Sequence, residues 1–159
     1  QTCALPISGF GKKKKDKIKI YSDIADLEMA SFKDAKPAIS KALNSSDPVE
    51  RYWGATVCAS FGGEAVSLYQ ELEQLTVDTQ AFVRSRAIVA LSRMGKVNPV
   101  PLMKEALQIA GSGAESLLIL NDITYLQESN LGVHFNLQES DILQKCSVTD
   151  WRLKYLSAK

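Results

Sequence analysis

One motif occurs twice, 33 residues apart, and it constrains the fold more than any other feature of the chain. Val49-Glu50-Arg51-Tyr52-Trp53-Gly54-Ala55 continues through Ala59 to Gly62, and Val83-Arg84-Ser85-Arg86-Ala87 continues through Ala90-Leu91 to Gly95. Each leading arginine stands 11 residues before its glycine. A period in the thirties with helical spacing inside each unit predicts stacked helix pairs. A two-helix unit cannot bury its apolar face alone, so it must pack on its neighbours. The predicted class is therefore all-α, an α-solenoid of stacked antiparallel helix pairs with a degenerate C-terminal cap.

Local signals set the element boundaries. Residues 8–17 combine Gly9, Gly11 and a lysine block, which predicts a solvated loop or tail. A helical pattern starts at Ile20, with Ile24, Leu27, Ala30 and Ser31 recurring on one side. A short helix over 36–44 carries Ile39, Ala42 and Leu43 inward, with Pro37 in its first turn. Asp47-Pro48 is a helix start: the carboxylate caps free amides and the proline needs no donor. That helix runs to Phe61 and is ended by Gly62-Gly63. Its partner over 64–76 points Val66, Leu68, Leu72 and Leu75 inward. Asp78 and Thr79 offer the next cap, for a helix over 80–94 that ends at Gly95. Asn98-Pro99-Val100-Pro101 opens another partner, carrying Leu102, Ala106, Leu107 and Ile109, and Gly111-Ser112-Gly113 breaks it. A third leading helix over 114–127 carries Leu117, Leu118, Leu120, Ile123 and Leu126. Here Ser116 takes the arginine's place and Gln127 the glycine's, so the unit is degenerate. Beyond Ser129 the repeat fades into an extended piece over 133–137 and one or two helices over 138–146 and 149–157. Those helices carry Ile142, Leu143, Trp151, Leu153 and Leu156. The resulting division is a basic tail over 1–19, repeats over 20–128 and a cap over 129–159.

Charge is unevenly placed. The net charge is +1, yet residues 12–19 hold six lysines and one acid, which leaves 13 basic against 17 acidic residues elsewhere. A solvated linker is favoured over an arm for nucleic acid or anionic membrane, because no aromatic residues are interleaved with the lysines. No run of about 18 apolar residues is present, so no span is predicted.

Within the repeat, small residues at Gly54, Ala55 and Ala59, and at Ala87 and Ala90, allow neighbouring helices to approach closely. Trp53 reads as a packing anchor. Arg51 and Arg84 read as a ladder bonding the caps of adjacent units rather than as an anion-binding row. Cys3, Cys58 and Cys146 are few, odd in number and widely spaced, so they form no disulfide framework. Cys58 reads as a buried thiol among Val57, Ala59 and Phe61. His134 stands alone and cannot build a zinc cage. Gly9-Phe10-Gly11-Lys12 lacks the phosphate-loop spacing. The pairs Glu71/Glu73 and Asp23/Asp26 read as solvated helix faces. No catalytic, cofactor-binding or metal-ligating residue is predicted.

The pattern Asp-x-x-x-x-Val-Arg-x-x-Ala-x-x-Ala-Leu-x-x-x-Gly resembles HEAT (armadillo-like) repeats, with Asp78, Val83, Arg84, Ala90-Leu91 and Gly95 as the best match. The first copy departs from it, with Ser45 in the aspartate's place. Asp47 to Ala55, Asp26 to Ser31 and Asp78 to Ala90 are also similar to the HEAT-like region that follows the catalytic domain of some bacterial arylsulfatase-type hydrolases. This resemblance covers residues 22–128. It implies a periplasmic or secreted parent sulfatase with a calcium site and a formylglycine made within C-x-P-S-R or S-x-P-S-R. Neither motif surrounds Cys3, Cys58 or Cys146, so no sulfatase residue is carried over to this chain. Gln1 to Ile7 resembles a translated sequencing adaptor, and the expectation is a C-terminal fragment. Two further functions are weighed: a free-standing module binding a protein or peptide on its concave face, and an anion-binding role for the lysine block. The partner expected first is the upstream catalytic domain.

Overall fold

The computed structural model describes residues 11–129 and 131–157, with side chains described from residue 14 onward. Its elements are α1 (Gly11–Ala25), α2 (Phe32–Leu43), α3 (Pro48–Phe61), α4 (Tyr69–Leu75), α5 (Ala81–Arg93), α6 (Pro99–Ile109), α7 (Gly113–Glu128) and α8 (Thr149–Ser157). Short 3-10 turns occupy Asp26–Met29, Gly62–Leu68 and Glu139–Asp141. Among the described residues there is no strand, so the chain is all-α as its periodicity predicts.

The caps explain the central boundaries. Asp47 accepts from the Val49 amide at 2.9 Å, and Asn98 accepts from the Val100 amide at 3.1 Å, each followed by proline. Gly62 and Gly95 follow α3 and α5 with φ of +55° and +67°, a region that a side chain would strain. At the end of α5 the Lys96 amide reaches the Leu91 carbonyl and the Gly95 amide reaches Ser92, which is the Schellman closure.

α3, α5 and α7 lie side by side with their starts together. Arg51 near the start of α3 reaches Asp78 just before α5, and the Phe82 amide at the start of α5 reaches Glu115 at the start of α7. α2 packs on α3, α4 and α6 pack on α5, and α6 also meets α7. α5 is the centre: Val83, Ala87, Ile88, Val89, Ala90 and Leu91 are all fully buried. Gly54 is where α3 touches α2. A Cβ there would stand 3.1 Å from both the Ala42 Cβ and the Leu43 amide nitrogen. Trp53 is half-buried and packs on the core edge-to-face with Tyr52.

Several local readings are corrected. The loop expected over 8–17 is helical from Gly11 onward; residues 8–10, Cys3 and the adaptor-like start lie outside the described residues. Lysine is a good helix former, and α1 is tied down: Lys17 bridges to Asp47 at 2.8 Å and Tyr21 donates to the same carboxylate at 3.0 Å. α1 then tightens into a 3-10 turn at Asp26 instead of continuing through Ser31. Ser31 caps α2 through the Asp34 amide, so α2 begins at Phe32 and Pro37 sits inside it rather than in its first turn. The lost amide bond is offset by burial of Ala35, Ile39, Ala42 and Leu43. The partner over 64–76 opens as a 3-10 turn, which rotates Val66 outward and Ala65 inward. Ile109 and Leu118 are exposed, and Met103 is buried in α6 instead.

The C-terminal stretch differs most. The segment 133–137 pairs with no strand, although Phe135 and Leu137 alternate inward as an extended piece would. Residues 138–146 are not an α-helix. A 3-10 turn at Glu139–Asp141 is followed by irregular chain, leaving Ile142 buried and Leu143 exposed. In α8 Leu156 is buried, but Trp151 faces water.

Candidate functional site: an arginine-lined groove over the middle helices

Arg51 and Arg84 prove to be staples within the fold. Arg51 Nη1 donates to the Ser45 carbonyl at 2.9 Å, and Arg84 Nε donates to the Asp78 carbonyl at 2.5 Å. Both contacts run six residues back to the turn preceding the arginine's own helix. Arg51 also holds Asp78 through two bonds, Nε to Oδ2 at 2.7 Å and Nη2 to Oδ1 at 3.0 Å. Asp78 accepts from the Gln80 amide as well, at 2.9 Å, so it braces the entry to α5 from two residues ahead of the N-cap. The ladder has no second such rung. At the arginine position of α7 stands Ser116, fully buried, its hydroxyl without a hydrogen-bond partner among the described residues. Glu115 takes over the link, accepting from the Phe82 amide at 3.2 Å and the Gly111 amide at 2.7 Å.

The side chains that face a concavity are others. Thr56, Ala59 and Ser60 of α3, Arg86, Val89 and Arg93 of α5, and Tyr125 of α7 line an open groove of about 320 Å³. Arg86 and Arg93 are seven residues apart, two turns along one face of α5. Arg86 stacks over the Tyr52 ring, 5.2 Å from its centroid, and pairs with Asp122 of α7 at 3.2 Å. Ser85 donates to the other Asp122 oxygen at 2.7 Å. Asp122 is only 2% exposed. Burial pushes its carboxyl above the usual range, while Arg86 and Ser85 pull it part of the way back. Burial also works against the Arg86 charge, but Asp122 and Tyr52 override it and hold the guanidinium above its ordinary value. Arg93 lies over the Tyr125 ring and bonds its hydroxyl. It sits in the last turn of α5, where a cation complements the helix dipole.

Asp122 is locked beneath Arg86 and cannot meet a substrate in the groove. The groups that can are hydroxyls (Thr56, Ser60, Tyr125) and the exposed Arg93 guanidinium, which suit a hydrogen-bonding partner surface. Among the described residues no three His, Cys, Asp or Glu side chains are placed to hold a metal ion, and no helix is long and apolar enough to cross a membrane. His134 is exposed. Cys58 is fully buried, and burial, with Glu71 adding to it, pushes its thiol up to about 12. Cys146 is half-buried and accepts from the Thr149 hydroxyl at 3.2 Å.

Sequence reasoning singled out the two arginines that staple the fold and passed over the two that line the groove. The available signal was Arg86 and Arg93 two turns apart on one face of α5, away from the repeat position held by Arg84. Comparison with protein families, with curated proteins and with solved structures finds no match to this chain.

Proposed function

We propose that this chain is a HEAT-like stack of antiparallel helix pairs acting as a non-catalytic scaffold, the region that follows the catalytic domain in an arylsulfatase-type parent. The observation that carries the stacked reading is the equivalence of Arg51 and Arg84. Each bonds the carbonyl six residues back, and Arg51 crosses to the cap of the next pair. The sulfatase reading is supported by the wording of Asp47 to Ala55 and of Asp78 to Ala90. Calcium and formylglycine belong to the parent's catalytic domain in this proposal, and no residue here is assigned to them. The scaffold's work is to present the groove of Arg86, Arg93 and Tyr125 to the parent's catalytic domain. Reading the gene upstream of Ser8 tests the parentage. A continuous frame encoding C-x-P-S-R or S-x-P-S-R supports it, and a start codon immediately before Ser8 overturns it.

The groove also favours a second reading, a free-standing module that binds another protein across α3, α5 and α7. Under that reading Arg93→Glu with Tyr125→Ala abolishes capture of a single partner while helical circular dichroism stays unchanged.

A further inference from the structure

A helix whose outer side meets water should be polar there, and α8 is not. Val148, Trp151 and Tyr155 recur at i, i+3 and i+7 and are 38%, 65% and 40% exposed. The Trp151 and Tyr155 rings lie parallel, 5.9 Å apart between centroids. The orientation is held from within. Arg152 donates to Thr124 Oγ1 at 2.7 Å and to the Leu120 carbonyl at 3.4 Å, and Leu156 is fully buried. Tyr155 is fixed too, its hydroxyl donating to Glu128 at 2.7 Å. The apolar row therefore points outward by construction, with exposed Leu143 in the segment that precedes it.

Beside this row stand two exposed charges of opposite sign, Asp150 and Lys154, one turn apart. That pattern is its own complement. Laid antiparallel on a copy of itself, the helix brings each acid to the other's lysine and each tryptophan to the other's tyrosine. A two-fold pairing needs no second sequence to satisfy it.

We propose that α8 is an interface between two copies of this chain, paired antiparallel about a two-fold axis that sets Asp150 against the partner's Lys154 and Trp151 against the partner's Tyr155. One nine-residue helix offers less than the about 800 Å² per partner of a standard interface, which places the dimer in the weak, exchanging class.

Sedimentation equilibrium of the full chain over a wide range of loading concentration tests this. The wild type should shift from monomer to dimer. Trp151→Glu should weaken association at least roughly tenfold, as loss of a central aromatic anchor does. Asp150→Lys and Lys154→Asp should each weaken it by roughly fivefold or more, and the double swap should restore it. All three positions are exposed, and the charge swap stands independently should Trp151→Glu disturb folding. A wild type monomeric at every concentration overturns the proposal. So does a dimer that survives Trp151→Glu with native circular dichroism, or a double swap no better than the single ones. Anionic vesicles bound by a chain that stays monomeric, and released by Trp151→Glu, would overturn it in favour of a lipid surface.

Discussion

The middle of the molecule and its C-terminal stretch solve the same problem by different means. From α2 to α6 the chain is nearly continuous helix, joined by short turns and closed by side-chain caps, glycine ends and the Arg51–Asp78 staple. Burial there is dense because small residues let helices approach, as at Gly54 against Leu43. From residue 131 to 148 there is one three-residue turn of helix. That stretch is attached by plugs and long side chains instead. Phe135 and Leu137 are buried, Gln127 accepts from the Phe135 amide at 3.3 Å, and Gln108 donates to the Ser140 carbonyl at 2.8 Å. Repetition makes every backbone bond local, whereas an irregular segment depends on a few distant anchors.

The strongest way to break the middle is at the ion pair that ties Arg86 of α5 to Asp122 of α7. Asp122→Ala leaves Arg86 beneath the groove without its carboxylate and should cost about 4 kcal/mol in denaturant unfolding. Phe135→Ala should cost about 3–4 kcal/mol, but with a different signature. Hydrogen exchange should rise first over 131–157 while α3 to α6 stay protected, and uniform loss of protection would contradict the division drawn above. Between the two staples, Arg51→Ala should cost about 3 kcal/mol, because a nearly buried Asp78 loses both of its guanidinium bonds. Arg84→Ala removes one bond to a carbonyl and should cost about 1 kcal/mol. Equal losses would show that the ladder is not where the difference lies. Gly54→Ala gains helix propensity yet crowds Ala42 and Leu43, for a net loss of about 1–2 kcal/mol.

The smallest effect is that of pH on α1. The hydrogen bond from Lys17, with those from the Val49 amide and Tyr21, holds the Asp47 carboxyl below its usual range against the opposing effect of burial. A depressed carboxylate stabilises the folded state fully above about pH 4 and loses that contribution as pH falls through its folded-state value. Acid should therefore loosen α1 from the start of α3, and Asp47→Asn should remove that part of the pH dependence.

What the sequence made legible follows from which forces are local. Asp47-Pro48, Asn98-Pro99, Gly62 and Gly95 act within one helix turn, so those ends could be placed from the residues alone. Pro37 misled because a cap six residues earlier, at Ser31, decides where α2 begins. The lysine block misled because its anchor, Asp47, lies 30 residues away from Lys17. Val66 misled because a 3-10 start rotates the face that periodicity assigns, and Ile109 because it closes α6, past the last turn that packs inward. The groove was hidden for a similar reason. Arg86 is defined by Tyr52 and Asp122, one on each neighbouring helix, and no spacing within α5 announces either. Even so, Arg51 was legible as a staple to the cap of the next unit, whereas Arg84 bonds the turn before its own helix.

Cys58, sealed inside α3 with its thiol pushed up to about 12, has a further use. A thiolate is the reactive form, so alkylating reagents must wait for this helix to open. Cys146 lies half-buried in the loosely anchored stretch. Labelling at these two sites, resolved by peptide mapping, is thus a pair of stopwatches already written into the chain, one timing the opening of each half.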